Sequence, residues 1–388
     1  MALLMNMIPH YRIGFFEKLA EKVDLLVILD TLIEADRDWD VDPDSFKFKV
    51  QVQEKSGIKY QKKRSDLQYS EARYFHFSSA VGKQLREFQP DLIVSCEFGL
   101  RSIRAMSYAK KHKVPIFLWW EGTRHTEAGE KRLKMFIRRY LCRRADGFWS
   151  NGTLSSEYIR DQGATAPIQE GMTGISTERY RKEVGALLPQ REELRENLGL
   201  HGVVLLFVGT ITGRKGVRPY LEAVELAHQR GMKDFSLLFV GDGYDREFLE
   251  AFAEEHQENF PVVVAGSVKQ DDIYQYYAAA DVFVLPTVLD NWPLVTKEAI
   301  SSGLPQLISV YNGASADLGK DERLGKVFDP LDLEDCAAKV QGMVEAKPPR
   351  LDEAVVEHYA SHYSPQGQAD RGFASIAKAL GLDESGSE

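Results

Sequence analysis

Two carboxylates placed eight residues apart are the clearest candidates for chemistry in this sequence. In Asp281-Val-Phe-Val-Leu-Pro286-Thr-Val-Leu-Asp290-Asn-Trp-Pro-Leu294-Val-Thr-Lys-Glu298, an apolar strand ends at Pro286 and a short loop carries Asp290. Pro293 then stands where a helix starts, a position that suits its fixed φ and missing N–H. Glu298 falls just over one turn into that helix. The backbone N–H groups of the first helical turn, around Leu294 and Val295, lack helical partners and can meet an anion or a sugar hydroxyl. A loop acid and a helix acid at this spacing can accept hydrogen bonds from hydroxyls at two ends of one extended polar ligand. The competing reading of the spacing alone is a surface helix with a poor capping acid.

The elements needed to hold such a site are visible in the pattern around it. Short apolar runs (Leu3-Met5, Leu25-Leu29, Phe46-Val52, Leu92-Ser95, Ile116-Trp119 and Gly147-Ser150) alternate with helical stretches such as Ile13-Lys22, Glu71-Phe88 and Arg101-Lys111. The second half repeats the rhythm from Val203-Phe207 to Gln306-Ile308. Strand and helix in alternation indicate βαβ units with parallel sheets. The fold class is therefore α/β, with two doubly wound domains whose ligands are expected beyond the carboxyl ends of the strands. The expected division is 1–173, 174–350, and a last segment 351–388 whose helix Asp370-Leu380 packs back on the first domain, ending in a frayed tail.

A chain of 388 residues that is 44% apolar and 28% charged suits two globular domains. No run reaches the roughly 18 apolar residues of a membrane span, and the first residues lack the basic n-region of a signal peptide, so a cytoplasmic location is expected. Three widely spaced cysteines, Cys96, Cys142 and Cys336, argue against a disulfide framework or a zinc site. The net charge of −9 is uneven: Met1 to Ile175 carries 28 basic against 23 acidic residues, and the remainder has an excess of 14 acids. The basic half either attracts phosphates or an anionic membrane, or reflects drift in surface composition.

The second half resembles retaining glycosyltransferase family 4. The family signature is an acid, seven residues, then Glu-Ala and later Gly-x-Pro. Here it reads Asp290, seven residues, Glu298-Ala299, then Gly303-Leu-Pro305. Gly209-Thr-Ile-Thr-Gly-Arg-Lys215-Gly216, Leu237-Leu-Phe-Val-Gly241-Asp-Gly243, Gly266-Ser-Val268 and Gly313-Ala-Ser-Ala-Asp317-Leu318 fit the same family in the same order, and Gly174-Ile-Ser-Thr-Glu-Arg-Tyr180 resembles its linker. The resemblance implies a GT-B fold, two Rossmann-like domains facing a cleft, and metal-independent transfer with net retention. The nucleotide-sugar donor, a UDP- or GDP-sugar, is then the only cofactor-like ligand, with no metal. It assigns Asp290 to the donor sugar and Glu298 to the ribose hydroxyls. The Gly209, Thr210, Arg214, Lys215, Gly216 loop cradles the diphosphate, with Leu294 and Val295 at the helix start. Gly241 lies near the donor pocket, and Ser267 and Val268 near the base. Two departures stand out: Asp290 replaces the usual Glu, and Thr210 replaces the usual Arg. Arg214 is the candidate for restoring that charge.

In the first half, Tyr11 and Arg12 follow the first strand, in an opening similar to those of family members that build bacterial surface polysaccharides. His125, with Glu121 and Arg124 beside it, stands where the family places a His that touches donor sugar and phosphate. The Asp36 to Asp44 cluster contains metal-like Asp-x-Asp spacings but reads as a solvated loop. Segment 131–144 has apolar residues at amphipathic spacing, seven basic residues and no acid. It is either a peripheral membrane contact, suiting a lipid-linked acceptor, or a core-packed helix with a solvated basic face. The expected function is hexose transfer to a glycan or lipid-linked saccharide in bacterial cell-surface polysaccharide synthesis, with no nucleic-acid partner. The alternatives are a catalytically silent nucleotide-sugar binding module and a GT-B epimerase or phosphorylase.

Overall fold

The computed structural model describes residues 1–32, 43–53, 57–64 and 69–382. The chain forms two compact units, Met1–Lys63, Ser70–Ser176 and His362–Glu388 in the first, and Thr177–Ser361 with Arg64–Tyr69 in the second.

The first unit contains β1 (Ala2–Met5), α1 (His10–Ala20), β2 (Leu26–Leu29), β3 (Lys49–Val52), β4 (Gly57–Arg64), β5 (Tyr69–His76) and α2 (Val81–Phe88). It continues with β6 (Ile93–Cys96), α3 (Leu100–His112), β7 (Ile116–Trp120), α4 (Arg132–Cys142), β8 (Gly147–Ser150), α5 (Thr153–Asp161) and β9 (Ile168–Gln169). Seven strands form a sheet in the order β3-β2-β1-β6-β7-β8-β9. Every pairing is parallel; Leu3, for example, lies beside Val27 on one side and Val94 on the other. Its inner strands are buried along their whole length, as expected for apolar runs covered by helices on both faces.

The second unit holds α6 (Thr177–Leu187), α7 (Arg191–Leu198), β10 (Val203–Val208), α8 (Val217–Gln229), β11 (Phe235–Val240), α9 (Arg246–His256), β12 (Val262–Val264) and α10 (Tyr274–Ala279). After these come β13 (Val282–Leu285), α11 (Leu294–Ser301), β14 (Gln306–Ser309), α12 (Ser315–Leu318), β15 (Gly325–Phe328) and α13 (Leu333–Ala346). Its sheet is also parallel, in the order β12-β11-β10-β13-β14-β15. On α8, Val217, Tyr220, Leu221, Val224 and Ala227 are buried at helical spacing, and the stripe packs against α13. The strand order reverses between β10 and β13, the place where doubly wound sheets bind ligands. The loops that leave these two neighbours therefore lie side by side.

Helix α14 (Glu353–Tyr363) leads to α15 (Pro365–Leu380). The α15 start is defined by Ser364, whose Oγ accepts from Gly367 N at 2.9 Å, and by Pro365 in the first turn. As expected, this C-terminal helix packs on the first domain. It lies along α1, and Trp149 Nε1 donates to Ser375 Oγ at 2.9 Å.

One expectation fails. Glu71 to Phe88 is not one helix: residues 69–76 are a strand paired with β4, and α2 begins only at Val81. Tyr69, Tyr74 and Phe75 favour extended backbone, and β4 supplies the partner that a helical pattern cannot anticipate. Residues 36–42 of the Asp-rich cluster and the tail at 383–388 lie outside the described residues.

Candidate active site

At the end of β10 the ladder continues into the loops. Gly209 N donates to Val240 O at 2.9 Å, Ile211 N to Asp242 O at 2.9 Å, and Gly241 N to Gly266 O at 2.8 Å. A side chain at Gly241, whose φ is +143°, would meet Gly209 O at 1.9 Å, so the close approach requires glycine. The turn Gly213–Lys215 then leads to Gly216, at φ +69°. A Cβ there would lie 2.0 Å from Pro286 O. The β10 loop is thus pressed against the β13 loop, and Val288 N and Thr287 Oγ1 donate to Arg214 O at 3.0 and 3.1 Å.

This contact brings three of the expected site residues together. Lys215 Nζ donates to Asp290 Oδ2 at 2.6 Å, and Arg214 Nη1 reaches the same oxygen at 3.3 Å and Leu289 O at 3.0 Å. The Lys215 and Asp290 side chains are only 9% and 14% exposed, so solvent screens their attraction weakly. Burial opposes ionisation of Asp290, but Lys215 and then Arg214 outweigh it and hold the carboxyl below its ordinary value. Thr210 is exposed. The second cation at Asp290 is Arg214.

Glu298 sits on α11 four residues beyond Leu294, with Leu294 and Val295 half-buried in the first turn. Tyr277 of α10, fully buried, donates its hydroxyl to Glu298 Oε2 at 2.8 Å. Burial pushes the Glu298 carboxyl up, against the opposing hydrogen bonds of Tyr277 and Tyr180 and the charge of Lys297. Sequence reasoning named Tyr180 only as part of the linker and missed Tyr277. The run Tyr274-Gln-Tyr-Tyr277 on an otherwise buried helix was the available signal. It also missed Lys297, buried with Nζ 4.1 Å from the Trp292 ring centre; the Trp292 indole N–H donates to Asp317 Oδ2 at 3.1 Å. Ser267 and Val268 follow β12 beside Gly266, two strands from β10.

In the first unit, Tyr11 and Arg12 occupy the first turn of α1 beyond β1. The Arg12 guanidinium lies 4.3 Å from the Trp119 ring centre and is paired with Glu121, which follows β7. Arg124 does not join them. Its guanidinium forks onto α5, with Nη1 2.6 Å from Glu157 Oε2 and Nε 2.5 Å from Asp161 Oδ2. His125 is exposed in the following turn. Among the described residues no group of three or more His, Cys, Asp or Glu is placed to hold a metal, and no helix is long and apolar enough to cross a membrane.

Comparison with known proteins bears on the fold and on the second unit. Residues 202–346 match the family model described as Glycosyl transferases group 1. The chain is 27% identical over 288 residues to the sulfoquinovosyl transferase SQD2 of Arabidopsis thaliana, covering 70% of this chain and 53% of that protein. It therefore spans about half the length of that relative. It is 23% identical over 351 residues to the GDP-mannose-dependent alpha-mannosyltransferase of Corynebacterium glutamicum, covering 78% of each. The solved structure of HepE from Anabaena in complex with UDP superposes with a TM-score of 0.69 at 15% identity, over 97% of this chain and 100% of that one. With two parallel-sheet units and this match across the second, the chain has the GT-B fold, and its second unit carries the match to the glycosyl transferases group 1 model.

Proposed function

We propose that the protein is a retaining glycosyltransferase that moves a hexose-type sugar from a nucleoside-diphosphate sugar to a glycan or lipid-linked acceptor in bacterial cell-surface polysaccharide synthesis. The observation that carries this reading is the convergence of Lys215 and Arg214 on Asp290 at the β10–β13 switch point. Before donor arrives, the carboxylate offsets one of the two cations, and the cluster keeps one net positive charge for the diphosphate. On binding, the diphosphate takes Lys215, Arg214 and the N–H groups of Leu294 and Val295, while Asp290 turns to the sugar hydroxyls and Glu298 accepts from the ribose hydroxyls. Ser267 and Val268 lie toward the base.

In the reaction the bond between the anomeric carbon and the diphosphate oxygen breaks, and its electron pair leaves on the diphosphate. The largest stabilisation then comes from cations and N–H groups fixed where that charge develops. The acceptor hydroxyl bonds to the same face of the sugar and gives its proton to the departing phosphate oxygen, giving net retention. No step is routed through a metal. His125 is assigned to donor sugar and phosphate, and Tyr11, Arg12 and Glu121 to the acceptor side, in a cytoplasmic enzyme; Arg124, held by Glu157 and Asp161, is left out of it. The names of relatives support both bases: HepE was solved with UDP, and the corynebacterial mannosyltransferase is GDP-mannose-dependent.

The exposed Thr210 favours a second reading, a silent nucleotide-sugar binding module. A thermal-shift screen against UDP- and GDP-sugars, repeated with Glu298→Ala, tests the shared part of both. A stabilising donor whose affinity is unchanged by the substitution would sink the ribose assignment.

A further inference from the structure

Helix α4 carries two different faces. Toward the unit, Leu141 and Cys142 are buried, and Arg138 is buried with its guanidinium bonded to Glu127 and Tyr158 and 5.0 Å from the Trp120 ring centre. Toward solvent, Leu133 is 71% and Phe136 68% exposed, followed by Tyr140 at 37%. Positions 133, 136, 140 and 144 recur at i, i+3, i+7 and i+11 and so share one side of the helix. Arg144 lies over the Tyr140 ring at 4.1 Å. Exposed Arg132, Arg139 and Arg143 border this stripe on one flank; on the other stands Lys134, exposed and paired with Glu130 at 2.9 Å. The apolar residues that an amphipathic pattern would send to the core are thus partly outside, and the core-packed alternative accounts for only half of the helix.

We propose that this outward face of α4 docks on an anionic lipid surface, with Leu133, Phe136 and Tyr140 entering the interface and the flanking arginines meeting the headgroup phosphates. Charge selects this occupant. Of the seven basic residues of segment 131–144, Arg138 is buried on Glu127 and Lys134 pairs with Glu130; the other five are exposed, and the segment holds no acid in a chain whose net charge is −9, so the attraction is local to the helix and not a property of the whole molecule. A second copy meeting the same face across a two-fold axis would set arginine against arginine. An anionic bilayer satisfies both halves of the face at once, because apolar burial and phosphate contact occur at the same depth. The inference stands on α4 alone and goes beyond the reading of the donor site.

The test uses the full-length protein sedimented with vesicles of phosphatidylcholine alone, and of phosphatidylcholine containing about one quarter phosphatidylglycerol. Binding is expected to the second and not the first, and to weaken as salt rises. Leu133→Ser/Phe136→Ser and Arg139→Gln/Arg143→Gln are each expected to weaken partitioning about tenfold or more. Their melting temperatures should be unchanged, since all four side chains are exposed. Lys110→Gln/Lys111→Gln, an exposed basic pair on α3, should leave partitioning unaltered. No binding to anionic vesicles would overturn the proposal, as would equal loss in the α3 pair. So would concentration-dependent dimers that the α4 variants abolish, or an acidic protein that binds the face while vesicles do not. Donor binding by the same variants, expected to match wild type, keeps failure here separate from failure of the transferase reading.

Discussion

Lys215 Nζ stands 2.6 Å from Asp290 Oδ2 although 75 residues separate them in the chain. The pair exists because β10 and β13 are neighbours in the sheet and Gly216 lets their outgoing loops touch. Replacing Asp290 by Asn should leave two cations facing a neutral amide. The expected cost is about 1–3 kcal/mol in urea unfolding, from a poorly solvated charge that has lost its partner. Turnover should fall about 10²-fold or more. Because the carboxyl is held below its ordinary value in the folded protein, its contribution to stability is present above that ordinary value, 3.8, and is lost as pH falls through the folded value. The Asn variant should therefore show a flatter acid limb than wild type, and an identical limb would show that the pair is not formed in solution.

Glu298 predicts the opposite sign. Its carboxyl is pushed above the ordinary 4.5 by burial, so folding favours the protonated form and stability declines as pH rises from below 4.5 through the folded value. Glu298→Gln removes that penalty and keeps an acceptor for the Tyr277 hydroxyl. The variant is expected to match or exceed wild type in urea midpoint at neutral pH while binding nucleotide about 10–100-fold more weakly, the scale of one charged hydrogen bond. Loss of stability together with loss of binding would point to a structural role only.

Arg214 should carry the charge that Thr210 lacks. Arg214→Gln is expected to lower kcat/KM about 10–100-fold, as for the loss of one charge-assisted contact to a phosphate. Adding Thr210→Arg should restore most of it, because the new guanidinium enters the same β10 loop. If the double variant is no better than Arg214→Gln while it folds normally, the compensation is wrong.

Gly216→Ala isolates the joint between the loops. The added methyl would lie 2.0 Å from Pro286 O at a backbone φ of +69°, so one of the two loops must move. A loss of about 2–4 kcal/mol is expected in denaturant unfolding. In variants that still fold, KM for donor should rise more than kcat falls.

Much of this arrangement was legible in the sequence. Buried apolar runs such as Val203–Val208 and the helical spacing on α8 define elements locally. The Pro293 start of α11 places Glu298 relative to Asp290 without any tertiary information. Strand order is different, since nothing within β10 or β13 states that they pair. Tyr277 beneath Glu298 was missed because it comes from another helix, α10, while Trp292 over Lys297 is a contact within one loop and helix that the apolar pattern does not show. Arg124 shows the limit of adjacency. It stands three residues from Glu121 in sequence, yet the turn between them sends it to Glu157 and Asp161. Residues 69–76 show it for secondary structure, where a strand forms because β4 is there to pair with it.

The most direct test of sugar transfer is release of nucleoside diphosphate from a panel of UDP- and GDP-sugars, measured with and without saccharide acceptors and with Asp290→Asn alongside wild type. Release that requires an acceptor, yields a product with the donor's anomeric configuration and falls about 10²-fold or more in the variant is the expected result. Tight donor binding with no acceptor-dependent release across the panel, or release unaffected by the substitution, would contradict it.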